Sequence, residues 1–220
     1  MFDLDDTLVE STVDYAKFKR LVIDRMVSHG ERRDKYRPEE TIVAIIARYE
    51  ASLRDKGASE RTIRERLREL DDIMDAVEME HAHETKAISG AADLLMALRK
   101  HDLRIGILTR GCEEYARRVL KVCGIEALVD EIESRNSETK AKPDPEAYLK
   151  LVSRLGVHKD ETVFVGDHPI DAQCARNAGV LFVAVRTGDV SDEVLESAGS
   201  AAVFQNVGQM VDWFERLLKN

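Results

Sequence analysis

Short apolar runs that alternate with helical stretches leave this chain few folds to choose from. Beyond about Thr85 the runs are RIGILT (104–109), VFVG (163–166), VLFVAV (180–185) and AAVF (201–204). Helical patterning recurs at Ala91 to Lys100, Cys112 to Val122, Pro145 to Leu155, Ile170 to Asn177 and Val207 to Leu218. A strand covered on both faces reads as an unbroken apolar run, and alternation with helices implies crossover connections and a parallel sheet. The expected fold class is therefore α/β, a doubly wound parallel sheet of Rossmann-like type.

The preceding stretch has a different texture. From about Asp14 to Glu80 the period is helical, with stripes at Phe18, Leu21, Val22 and Met26, at Ile42, Ile45, Ile46, Tyr49 and Leu53, and at Ile63, Leu67, Leu70, Met74 and Val77. Gly30 and Pro38 separate the first stripe from the second; Gly57 and an N-cap candidate, Ser59, separate the second from the third. Three amphipathic helices with no intervening strand result. The chain opens MFDLDDTL, and Phe2 to Leu4 then supplies the first strand of the sheet, cut off from the remainder by the helical insertion. The expected division is residues 1–10 with 85–220 as the α/β core and 11–84 as an inserted all-helical domain.

Composition narrows the function. At 220 residues, 44% hydrophobic and 34% charged, the chain can build one good-sized core plus a smaller insertion. Its longest apolar runs fall far short of the roughly 20 residues that span a bilayer, and no basic stretch followed by an apolar run opens it. Neither a membrane segment nor a secretory signal is expected. A net charge of −9 disfavours nucleic acid as a partner, because phosphate-backbone affinity rests on clustered cations. Cys112, Cys123 and Cys174 are odd in number and lack CxxC spacing, which fits reduced thiols in a cytoplasmic setting better than disulfides or zinc.

In open α/β sheets ligands bind outside the carboxyl ends of the strands. The residues just after the apolar runs are polar here: Asp3 and Asp5 at the first, Thr109 after RIGIL, and Asp167 and Asp171 after VFVG. The crowding of Asp3, Asp5 and Asp6 behind only Met1 and Phe2 thereby acquires a purpose. These acids sit where a site would be built.

The order DLDDTL, ILTRG, AKPDP and VGDHPID resembles the four motifs of the haloacid dehalogenase superfamily, in the phosphoglycolate phosphatase-like branch with a helical cap inserted after the first motif. The resemblance extends over essentially the whole chain. It implies a magnesium-dependent phosphomonoester hydrolase of a small cytoplasmic metabolite, working through an aspartyl-phosphate. It assigns Asp3 as the nucleophile and, as metal ligands, the Asp3 side chain, the Asp5 backbone carbonyl and the Asp167 side chain. Asp5 would protonate the leaving group and then act as base on the hydrolytic water, which calls for a raised pKa of the kind that the neighbouring acids Asp3, Asp167 and Asp171 would cause. Lys142, favoured over Lys140 by its place before Pro143, would hold the transferring oxygens together with Thr109, and Arg110 flanks them. Thr7 would brace the first loop. Asp171, four residues beyond Asp167, would orient the metal water or Lys142, and Gly166 would let the backbone approach the ion closely.

Three departures from the family pattern stand out, the mildest being that AKPDP lacks the common glycine before its lysine. Relatives commonly carry more apolar residues ahead of the nucleophile, so the strand here is short, and an apolar extension before Met1 is expected to stabilise the protein. Asp6 stands where many relatives have glycine. Two rival functions share the scaffold: a sugar phosphomutase, which keeps the phosphoryl group and returns it to a sugar, and a non-catalytic binding or regulatory protein.

Overall fold

The computed structural model describes residues 1–188 and 190–217, so the final helix expected to reach Leu218 runs past the described residues. The chain forms two compact units, Met1–Ser11 with Ala82 onward, and Thr12–His81.

The second unit consists mainly of helices α1 (Tyr15–Ser28), α2 (Ile42–Asp55) and α3 (Glu60–Glu80). Each begins at a side-chain oxygen. Asp14, Thr41 and Ser59 accept from the amides of Lys17, Ala44 and Thr62, which no helical carbonyl reaches. The three stripes close on one another in a single cluster that includes Phe18, Met26, Ile45, Tyr49, Ile63 and Leu70. Each such side chain contributes about 1.5–3 kcal/mol on full burial. One carboxylate is drawn in with them. Glu31 accepts from the Tyr36 hydroxyl at 3.1 Å, Ser52 Oγ at 2.9 Å and Lys56 Nζ at 2.5 Å, which offsets the cost of taking its charge from water.

The first unit runs α4 (Ala91–Lys100), β1 (Gly106–Leu108), α5 (Glu113–Val122), β2 (Glu131–Glu133), α6 (Glu146–Leu155), β3 (Val163–Gly166), α7 (Pro169–Ala178), β4 (Leu181–Val185), α8 (Asp192–Ser197), β5 (Ala202–Phe204) and α9 (Val211–Leu217). At its centre lies the opening segment. Phe2 bridges Ile107 of β1 on one side and Val165 of β3 on the other, both in parallel. Its N–H donates to Gly106 O at 2.9 Å, and Asp3 N–H donates to Val165 O at 2.8 Å. The sheet order is thus β2, β1, residues 1–3, β3, β4, β5, with every pairing parallel.

Period-two alternation explains how both faces are covered. Leu108, Phe164, Phe182 and Ala184 pack in one cluster with Tyr148 and Leu151 of α6 and Ala172 and Ala175 of α7. Ile107, Val165, Val183 and Val185 alternate with them and are equally buried, so the opposite face is covered too. The doubly wound α/β reading holds.

Among the strands and α-helices of the described residues, β2 and α8 went unread in the sequence. The helix expected from Val207 is also resolved into a 3-10 turn at Val207–Met210 followed by α9. Among the described residues no helix is long and apolar enough to cross a membrane.

Candidate active site

Parallel pairing brings the carboxyl ends of three adjacent strands side by side, and each ends in a polar residue. Asp3 leaves the opening segment, Thr109 leaves β1 and Asp167 leaves β3. Lys142 comes from the loop between β2 and α6, and Asp171 from the first turn of α7. All five are buried.

The centre of the group is the Lys142 ammonium. Its Nζ donates to Asp3 Oδ1 at 2.5 Å and to Asp171 Oδ1 at 2.7 Å, and it lies 5.6 Å from the centroid of the Phe164 ring. Burial alone would push the ammonium down, but the Asp171 and Asp3 carboxylates outweigh it and hold Lys142 above its ordinary range. Lys140, its neighbour in the sequence, is exposed and pairs loosely with Asp144 at 4.0 Å. The lysine favoured from the AKPDP motif is the one placed among the acids.

Asp167 joins through Thr7, whose hydroxyl donates to Asp167 Oδ1 at 2.8 Å. Thr7 therefore ties the opening loop to the end of β3. Burial, with the neighbouring carboxylates Asp171 and Asp5 adding to it against Lys142, pushes Asp3 up to about 7. Burial and the charges of Asp3 and Asp171 push Asp167 up to about 8. Asp171 is fixed from both sides: its Oδ1 accepts from Lys142 Nζ, while its Oδ2 accepts from the His168 amide at 3.1 Å. His168 in turn caps α7, with Nδ1 accepting from the Ile170 amide at 3.2 Å, and burial holds its imidazole below the ordinary value.

Gly166 has a steric role beside the one expected of it. A Cβ there would lie 2.6 Å from Asp171 Oδ2 and 2.7 Å from Asp171 Cβ. The missing side chain makes room for Asp171, whatever approaches from the other side. A second glycine, unread in the sequence, acts alike: a Cβ on Gly188 would overlap Asp167 Oδ2.

Thr109 Oγ1 accepts from the Gly111 amide at 3.0 Å, and the Thr109 amide donates to Glu133 O at 3.0 Å. Arg110 is half-buried. Its carbonyl accepts from Arg135 Nη1 at 2.8 Å, and its charge helps to hold the His168 imidazole down. Asp5 is half-buried, and its Oδ1 accepts from the Tyr115 hydroxyl at 2.5 Å. Tyr115 is the site-side residue that sequence reasoning missed, because nothing local marks a partner 110 positions away.

The donor set fits a divalent cation. One carboxylate oxygen from each of Asp3, Asp167 and Asp171 lies within 4.8 Å of the others. These are hard oxygens, suited to magnesium or calcium. Three carboxylates against one ammonium leave a twofold negative excess when all are ionised.

Comparison with known proteins bears on the family and the fold. The model for the haloacid dehalogenase-like hydrolases matches residues 1–185. A phosphoglycolate phosphatase of Rhodospirillum rubrum is 35% identical over 124 residues, 56% of this chain and 51% of that relative, so the match spans about half its length. Hexitol phosphatase A of Escherichia coli is 32% identical over 188 residues, 84% of this chain and 81% of the relative. Among solved structures, a hydrolase from Pseudomonas syringae has the same fold, with a TM-score of 0.70 at 24% identity over 98% of this chain and 97% of that one.

Proposed function

Because the chain belongs to the haloacid dehalogenase-like hydrolases, we propose that it is a magnesium-dependent phosphatase of a small phosphorylated metabolite, with the α/β unit as catalytic core and the helical unit as its cap. The observation that carries this reading is the Lys142 ammonium, bonded at once to Asp3 and Asp171 with Asp167 beside them. Attack by a carboxylate on a phosphoryl group sets anion against anion. A fixed, dehydrated positive charge next to the nucleophile is what such an attack requires.

In this reading Asp3 attacks phosphorus and becomes an aspartyl-phosphate, which divides one hard displacement into two easier ones. Asp5 gives its proton to the departing alkoxide and later takes one from the water that opens the aspartyl-phosphate. Lys142 and the Thr109 hydroxyl hold the transferring oxygens, with Arg110 adding charge beside them. The side chains of Asp3 and Asp167 and the Asp5 carbonyl would hold the cation, with Asp171 adjacent. When bound, magnesium supplies the positive charge that offsets the carboxylates and the phosphoryl oxygens. The curated relatives are named for phosphoglycolate and for hexitols, and we assign this chain the class they share, a phosphate monoester of a small hydroxylated metabolite.

A panel of phosphorylated metabolites with magnesium, run beside Asp3→Asn, tests the proposal. Phosphate release by the native protein and none by the variant is the expected result. Isomerised sugar phosphate in place of free phosphate would make the protein a mutase. Turnover of nothing, with binding retained, would make it a binding protein on this scaffold.

A further inference from the structure

We propose that Tyr115 is a positioning residue for the Asp5 carboxyl, an inference that rests on the phosphatase reading above and extends it. Tyr115 lies in the first turn of α5 and is fully buried. A buried phenol normally spends its hydroxyl on a partner, and here the partner is the acid itself: Oη donates to Asp5 Oδ1 at 2.5 Å. Asp5 immediately precedes a sharp turn at Asp6, where φ is +54°. Such a carboxylate has several rotamers open to it, and a bond from a rigid ring removes that freedom.

The ring is held by the segment that also presents Thr109. The Tyr115 amide donates to Cys112 Sγ at 3.4 Å. A Cβ on Gly111 would lie 2.9 Å from Tyr115 Cδ1, so only glycine lets the loop close on the ring. The Gly111 amide meanwhile donates to Thr109 Oγ1 at 3.0 Å. One short stretch, Thr109 to Tyr115, thus fixes both a phosphate-binding hydroxyl and the orientation of the acid.

The chemical consequence concerns which oxygen carries the proton. With Oδ1 engaged by the phenol, Oδ2 is the oxygen that would deliver a proton to the leaving group. As Asp3 forms its bond to phosphorus and the bond from phosphorus to the leaving oxygen breaks, the Oδ2 proton passes to that oxygen. Asp5 is left as a carboxylate that still accepts from Tyr115. A leaving group that is stable as an anion needs no such proton; an alkoxide does.

Tyr115→Phe removes the hydroxyl and keeps the ring. For an alkyl phosphate, kcat/KM should fall about tenfold or more, and for nitrophenyl phosphate by less than about twofold. In an Asp5→Asn background the same substitution should add almost nothing, because the two residues act as a unit. An equal loss on both substrates, an unchanged profile, or full additivity with Asp5→Asn would overturn the inference while leaving the phosphatase reading intact. A native protein that is silent on the whole phosphate panel would overturn both. Should Tyr115→Phe melt below the assay temperature, a difluorotyrosine installed at position 115 keeps the packing and changes the acidity of the hydroxyl. An altered ratio between the two substrates then supports the inference, and the native ratio overturns it.

Discussion

Lys142 is the residue on which the site's electrostatics turn. Its ammonium stands between two buried carboxylates, Asp3 and Asp171, with a carboxylate oxygen of Asp167 within 4.8 Å of an oxygen of each. Removing one partner of a buried pair costs more than the pair itself contributes, because a dehydrated charge is left without compensation. In chelator-treated protein at about pH 9, above the native values of Asp3 and Asp167, Lys142→Met should therefore lower unfolding free energy by about 3–5 kcal/mol, read from urea melts, and magnesium should restore part of it. A loss below about 1 kcal/mol would mean that the acids are already neutral or hydrated. Asp6 offers a milder test. At φ +54° it adopts the left-handed conformation that glycine reaches freely, but its Oδ1 accepts from the Ser11 amide at 3.0 Å. Asp6→Gly exchanges strain for a lost hydrogen bond and should stay within about 1 kcal/mol of the native protein. Asp6→Ala keeps the strain, loses the bond and should cost more than the glycine variant in the same melts.

At the scale of elements, legibility followed length and apolar content. The three stripes of α1, α2 and α3 were readable because each long helix repeats its period several times against one cluster. The strand β2 was not. Its sequence, EIE, shows a single apolar residue. Glu133 is nonetheless buried, because Thr139 Oγ1 donates to it at 2.6 Å and Arg154 Nη1 at 3.0 Å, partners that no local pattern announces. The helix α8, over Asp192–Ser197, is too short to display a period. The acids at the strand ends were legible from their motifs, whereas Tyr115 and Gly188 take their meaning from residues well removed in the chain, Asp5 and Asp167. The opening segment supplies a further prediction. The Met1 ammonium donates to Val163 O at 2.8 Å inside the sheet, and burial pushes its pKa down to about 5. Two or three apolar residues placed before Met1 would replace that ammonium with an amide and lengthen the pairing with β1 and β3. The melting temperature should rise by several degrees, about 4–8 °C for each kcal/mol in a small domain and less in a larger one; an unchanged or lower value would count against the strand argument.

For the molecule as a whole, the same buried acids couple stability to pH, and in the proposed reading they should couple it to metal as well. Asp3 and Asp167 titrate near 7 and 8 in the folded chain, against an ordinary value of 3.8. A carboxyl raised on folding stabilises the native state most below its unfolded pKa, and that contribution is lost as pH rises through the folded value. In the ion-free protein these two groups therefore erode stability from about pH 4 to about pH 8. The Met1 ammonium and the His168 imidazole, both lowered by burial, act in the opposite sense over part of that range. A simple melt against pH would blend the four. The difference between melts with and without millimolar magnesium separates them, because the ion competes with protons only at the carboxylates. The stabilisation by magnesium should be small near pH 5 and grow through about pH 7 and 8, as each displaced proton steepens the dependence. Asp167→Asn should remove most of that growth while leaving the contributions of Met1 and His168 in place. A magnesium effect independent of pH, or one that survives Asp167→Asn undiminished, would show that the cation binds elsewhere.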